Sequence, residues 1–434
     1  MFPPCKPSIP SVRVIFIAAL ALLISFAEAR AAVYQVGPTR QYKTLQEVAG
    51  LLHPLDVVTV DGGVIYAGGI TLRAEGAPGA VITVTGLRVN GKRPMIAGVT
   101  APGTAVLRVL GSHYVIQGFD ITNGGDSRAA RCFYNVGDDV TLRDCIVHDA
   151  PMTGIAGADA SGSLTLDRVE VCRCGNGIYG HQIYVGSSLA KFPRALFLMQ
   201  YCYVHDGVGG NNVKSRVTRN EIEFNWIEGA SYHELDLDGP DPKSQPVPPG
   251  VHCDADIIGN VFVKTPSSIG TVARLGSDGT GASRGRVRFI NNTVIIRAKS
   301  AAQSGLFWLK GEIDSVLLTN NVFWSKMSPM KLAVEEHGAA PVLTGSGNWW
   351  PQGATNIPTG WQGAAGADPG FVDAASEDFR PAPASPLIGA ATAAPDSVTI
   401  ARPSPGERPG KAACIPRFVT ATAIGAFQPP IVVN

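Results

Sequence analysis

The sequence predicts an all-β fold: a right-handed parallel β-helix with an N-terminal capping helix and an irregular C-terminal cap. Three observations carry the prediction. An eight-residue pattern recurs through the middle of the chain, apolar and polar residues alternate inside each copy, and 50 Gly with 32 Pro make the composition turn-rich.

Residues 1–31 read as a signal peptide. Lys6 and Arg13 precede the apolar run Val14–Ala27, and Ala29-Arg30-Ala31 has the small-x-small form of a cleavage site. The run, about 14 residues, is short for a bilayer span, and no later stretch is longer and as apolar. The expected location is therefore secreted or periplasmic, with no membrane partner. Residues 32–390 are expected to form the β-helix domain with its N-terminal cap, and 391–434 a C-terminal capping tail.

Thr44-Leu45-Gln46-Glu47 has the form of a capping box opening an amphipathic helix over Leu45 to Leu52, placed to cover the first rung. Asp56–Val60 then reads as the first strand. Copies of the repeat follow at Tyr114–Ile121, Val140–Val147, Leu164–Val171, Phe197–Val204, Asn220–Ile227, Ala255–Phe262, Val287–Val294 and Val316–Phe323. Their sixth positions (Phe119, Cys145, Val169, Cys202, Asn225, Asn260, Asn292 and Asn321) are spaced 26, 24, 33, 23, 35, 32 and 29 residues apart. Such a period with insertions is that of a β-solenoid whose extra residues leave as loops. The leucine ladder of a leucine-rich repeat is missing, and propeller blades need about 40 residues each. Asn291-Asn292 and Asn320-Asn321 fall at a bend, where Asn accepts the left-handed conformation and stacked amides bond from rung to rung. Beyond Trp350 the periodicity fades into a Pro- and Gly-rich tail containing Asp368–Asp373 and Ser385–Gly389.

With 36 Lys and Arg against 35 Asp and Glu the net charge is +1, without the basic excess of a nucleic-acid binder. Cleavage of the leader would leave seven of the eight cysteines, an odd number. Cys145 and Cys202 fit a stacked core as small apolar side chains. Cys172-Arg173-Cys174 is too tight for ordinary zinc spacing.

The chemistry concentrates on the outer face of one set of strands. In Asn211–Arg216, inward Val213 and Ser215 leave Lys214 and Arg216 outward, roughly 6–7 Å apart. On the next rung Leu235 and Leu237 go inward, so Glu234, Asp236 and Asp238 are expected outward. Gln182 and Tyr184 on the preceding rung, and Arg274, Trp308 and Lys310 on the following ones, complete a column with rungs about 4.8 Å apart. Arg binds a carboxylate bidentately, and aromatic rings pack on sugar rings. An anionic polysaccharide is therefore the expected partner of a monomeric protein, with Tyr184, Arg274, Trp308, Lys310 and His205 as substrate contacts. A lysine beside an arginine in a partly dry site is expected to have its pKa lowered toward neutrality, and so to act as a base. Lys214 and Arg216 are accordingly the expected catalytic residues, for proton abstraction beside a uronate carboxylate. Glu234, Asp236 and Asp238, with Asp241 beyond, offer hard oxygen ligands for Ca2+. His148-Asp149 and His205-Asp206 occupy equivalent turn positions, which favours a shared structural role. His181, His233 and Tyr232 flank the same face.

Asn212-Val213-Lys214-Ser215, the rung Arg219–Ile227 and then Ile258–Phe262 resemble the alginate lyase and chondroitinase B family of polysaccharide lyases, and the wider repeat resembles secreted pectin lyase-like β-helices. The resemblance implies a lyase in which Lys214 is the base. Where that family carries an arginine on the next strand, this chain reads Glu234-Leu-Asp-Leu-Asp238, so neutralising the substrate carboxylate falls to Arg216, Arg274 or a metal. The expected function is a polysaccharide lyase acting by β-elimination. A C5-epimerase, a glycoside hydrolase using the same carboxylates and a non-catalytic glycan-binding β-helix stand as alternatives.

Overall fold

A computed structural model describes residues 31–98, 105–124, 130–265, 271–297, 299–326, 329–337, 340–393, 395 and 423–427. The expected leader, apart from Ala31, and most of 391–434 lie outside the described residues. Among those described, no helix is long and apolar enough to cross a membrane.

Each rung contributes a strand to each of three parallel sheets. The first sheet is built from the opening half of every repeat copy, for example Val140–Arg143 on Leu164–Asp167. The second sheet takes the closing half, as in Ile146–His148 on Glu170–Cys172. A third sheet of ten strands stacks in strict chain order from Ile70–Leu72 to Ala333–His337. Registers run residue on residue with no slip from Val33 to Thr319 in the first sheet. The chain is a right-handed parallel β-helix, as the repeat predicts.

The alternation places the core. Val140, Leu142, Leu164, Leu166, Phe197 and Met199 point inward and are almost fully buried. At the fifth position of the repeat, Gly118, Asp144, Arg168, Tyr201, Phe224, Gly259, Asn291 and Asn320 all have φ between 46° and 84°. That left-handed residue bends the chain from first sheet to second. One residue on, an amide ladder runs up the core. Asn260 Oδ1 accepts from Asn225 N at 2.9 Å, Asn292 Oδ1 from Asn260 N at 2.8 Å, Asn321 Oδ1 from Asn292 N at 2.9 Å, and Asn348 Oδ1 from Asn321 N at 3.1 Å. In earlier rungs cysteine sulfur takes this place, with Phe119 N donating to Cys145 Sγ at 3.4 Å and Val169 N to Cys202 Sγ at 3.5 Å.

The ends differ in detail from expectation. The cap helix spans Leu45–Ala49, with Leu45, Val48 and Ala49 buried. Glu47 does reach back, to Lys43 N at 3.1 Å, but Thr44 Oγ1 bonds the Glu47 carboxylate instead of a backbone N–H. The first strand is Val33–Val36, paired in register with Val57–Val60; four residues were too few to show a period. In the tail, Phe371–Asp373 and Asp378–Pro381 form a small antiparallel pair. Phe379 packs on Trp226 with ring centroids 5.6 Å apart, and the tail thereby lies along the outer face of the second sheet.

Candidate functional site

The outer face of the third sheet carries one register column: Tyr184, Lys214, Asp236, Arg274 and Trp308 are successive partners. Period-two alternation puts them there, because Ile183, Val213, Leu235, Ala273 and Phe307 beside them fill the core. Over this column opens a cleft of about 550 Å³, lined by Tyr184, Lys214, Arg216, Arg274 and Asp278 with His181, His233, Asn211, Tyr232, Thr280 and Asp241. Tyr179, 79% exposed, and Ile178 stand at its rim.

Three cations and three carboxylates interlock at its floor. Lys214 Nζ donates to Asp236 at 2.9 Å, Asp238 at 2.6 Å and Asp278 at 2.8 Å. Arg274 grips Asp236 bidentately, both bonds 2.7 Å, and Asn211 Nδ2 adds a fourth bond to that carboxylate at 2.7 Å. Arg216 donates to Asp278, to Thr280 Oγ1 at 2.8 Å, to the Gly239 carbonyl at 2.6 Å and to the Tyr184 hydroxyl at 3.1 Å. Asp238 Oδ1 has no hydrogen-bond partner among the described residues.

The charges set the protonation. Burial pulls the Lys214 pKa down, but Asp236, Asp238 and Asp278 outweigh it and hold the ammonium above its usual range. This corrects the sequence expectation of a lowered lysine: the neighbouring arginine acts in that direction, yet three carboxylates oppose it. Burial also raises both buried aspartates, but Lys214 and Arg274 bring Asp236 below the ordinary range, while Asp238, burdened further by the charge of Asp236, is pushed above it. His181 is lowered to about 4 and His233 to about 3, burial being the larger cause in each, so both are neutral at pH 7. His181 Nδ1 accepts the Asn211 N–H at 3.0 Å, which leaves Nε2 as its N–H.

Several expected residues lie elsewhere. Gln182 is fully buried and bonds Asn212 Oδ1 at 3.2 Å and the His205 carbonyl at 2.6 Å. Glu234 likewise turns into the corner of the coil. It accepts from Asn212 Nδ2 at 2.5 Å and faces buried Lys264 at 3.4 Å. It sits just before the strand that begins at Leu235, outside the alternation that places Asp236 and Asp238. The proposed calcium triplet is thus divided, and its other two carboxylates already face Lys214 and Arg274. That donor set does not fit a calcium ion, which needs six to eight oxygens. Trp308 and Lys310 continue the column beyond the cleft lining. Lys310 Nζ lies 4.1 Å from the Trp308 ring centre and pairs with Glu336 at 3.0 Å. His205 belongs to the second sheet, away from the cleft, between Glu170 and Asp206. Asp278 was missed: it sits in the turn Gly276–Gly281, where no strand period points to it. Lys264, the partner of Glu234, was missed as well.

No protein-family model matches this chain, and no curated protein does. Among solved structures it is similar to pectate lyase Pel9A, at 14% identity and a TM-score of 0.59, covering 92% of this chain and 96% of that one. It is also similar to the alginate lyase from Paenibacillus sp. str. FPU-7 at 15% identity and a TM-score of 0.38, covering 74% of this chain and 96% of that one. For the PL6 family alginate lyase AlyGC the values are 13% and 0.44, covering 74% of this chain and 52% of that one. The likeness to pectate lyase Pel9A shows the fold, a parallel β-helix of the kind that lyase has.

Proposed function

We propose that this chain is an exported, monomeric polysaccharide lyase that cleaves a uronate-containing polymer by β-elimination in the cleft over Lys214. One observation carries the reading: Lys214, Arg216 and Arg274 line a single open cleft, backed by neutral histidines and rimmed by Tyr179. A substrate carboxylate entering there meets Arg274 at Nη1, the guanidinium nitrogen that does not bond Asp236, beside the positive charge of Arg216. Neutralising that carboxylate acidifies the proton on the adjacent carbon C5.

Lys214 becomes a base by passing its proton to Asp238, 2.6 Å from Nζ. Among the three carboxylates it touches, Asp238 is the one with a raised pKa and an unpaired oxygen. The freed amine takes the C5 proton, the electron pair forms C4=C5, and the C4–O bond breaks. The leaving oxygen takes a proton from Tyr184, whose hydroxyl accepts from Arg216 Nε and keeps its own hydrogen for donation. The pair first weighed for a hydrolase, Asp236 and Asp238, lies buried beneath Lys214, out of the reach of substrate that two-carboxylate hydrolysis needs.

The test is incubation with alginate, pectate, chondroitin sulfate, dermatan sulfate and bacterial exopolysaccharides, following ultraviolet absorbance of the conjugated C4=C5 bond. A rise on at least one uronate polymer supports a lyase and identifies its substrate. No rise on any of them contradicts it.

A further inference from the structure

On the second sheet, far from any role in the cleft chemistry, three metal-binding side chains converge. Glu170 and Cys172 flank inward Val171 and so share the outer face of one strand, while His205 is the register partner of Cys172 on the next rung. One ligand atom from each of Glu170, Cys172 and His205 lies within 4.8 Å of the others. His205 Nε2 and Glu170 Oε1 are 3.3 Å apart, close to the edge of about 3.4 Å of a tetrahedron with metal–ligand bonds of about 2.1 Å.

The imidazole is also held as a ligand is held. Its Nδ1 bonds Asp206 Oδ2 at 2.8 Å, which aims Nε2 at the other two groups, and Tyr203 stacks on the ring with centroids 3.9 Å apart. A carboxylate behind the far nitrogen is the usual outer support of a metal-bound histidine. Arg173 approaches the sulfur at 3.2 Å, but it is half exposed and anchored by two bonds to Asp149, so it can yield to an ion. The tight Cys172-Arg173-Cys174 spacing argued against zinc along the sequence; the coil supplies the missing ligands from strand register instead.

We propose that Glu170, Cys172 and His205 bind one zinc-class divalent ion, with Asp206 orienting the histidine and a fourth position left to water. Thiolate, imidazole and carboxylate together suit a borderline-soft ion better than calcium or magnesium. The bound ion ties two successive rungs together on the second sheet, whereas the cleft lies over the third, so its effect is on stability and not on cleavage.

Cobalt(II) is the probe, titrated into reduced, metal-free full-length protein and then displaced by zinc. The expected result is a thiolate-to-cobalt charge-transfer band saturating at one equivalent, absent in Cys172→Ser and weakened about 10–100-fold in affinity in Asp206→Asn. Cys174→Ser, whose sulfur points into the core, keeps the band and shows that a neighbouring cysteine can be altered harmlessly. No band in the wild-type protein, or a band that persists in folded Cys172→Ser, overturns the assignment.

Discussion

Lys214 is held as a cation by three carboxylates, two from the strand Leu235–Asp238 and one from the turn at Asp278, and this decides how its variants behave. Lys214→Arg keeps the charge but cannot release a proton near neutral pH. We expect cleavage to fall by about 10²–10⁴-fold, with polymer affinity, measured by calorimetry, changed only a few-fold. Lys214→Met leaves three carboxylates facing two guanidiniums, and denaturant unfolding should show a loss of about 3–5 kcal/mol. Asp238 must be ionised to accept the proton, so kcat/KM should climb with pH along a limb above the ordinary carboxylate range. Asp238→Asn should lose both rate and limb. Glu223 offers a test away from the cleft. Burial, then Glu221 and Asp256, push its pKa up to about 7, against about 4.3 in an unfolded chain. The folded state therefore holds that proton more tightly, and stability falls as pH rises between those values. Glu223→Gln should raise the melting temperature at pH 8 and leave it unchanged at pH 4.

At the scale of elements, the ladder of buried amides is what locks the bend between the first and second sheets. Asn292 accepts from Asn260 N and Nδ2 at 2.8 and 3.0 Å, and donates to the Ile257 carbonyl at 2.9 Å and Asn321 Oδ1 at 3.1 Å. Asn292→Ala would strand the Asn260 donors and the Ile257 carbonyl in a dry core, at a cost of about 3 kcal/mol. Cys202 holds the same position through weaker sulfur contacts of 3.3–3.5 Å. Cys202→Ala should therefore cost less, and paired urea titrations would show the order. The ladder could be read in advance because Asn recurs at one repeat position. The strand Val33–Val36 could not, since four residues carry too little period to stand out.

Over the whole molecule, strict alternation made the coil legible and also most of the cleft. Tyr184, Lys214, Asp236 and Arg274 follow from knowing which side chains go inward, and register then stacks them. What stayed hidden depends on contacts between rungs. Asp278 enters from a turn, Glu234 faces a lysine 30 residues further on, and the sign of the Lys214 shift follows from both strands and loop together. His205 was placed near the cleft by its closeness in sequence to Lys214, yet the coil carries it round to another face. Fold likeness to pectate lyase Pel9A gives the scaffold, and a scaffold alone hosts several chemistries. What distinguishes those chemistries is the bond that breaks. Mass spectrometry of the products from a defined uronate oligomer reads it directly. Elimination predicts product masses that sum to the mass of the substrate, one product carrying the double bond. Products that together contain one added water would mean hydrolysis, and an oligomer of unchanged mass would mean epimerisation or binding without cleavage; either would contradict elimination.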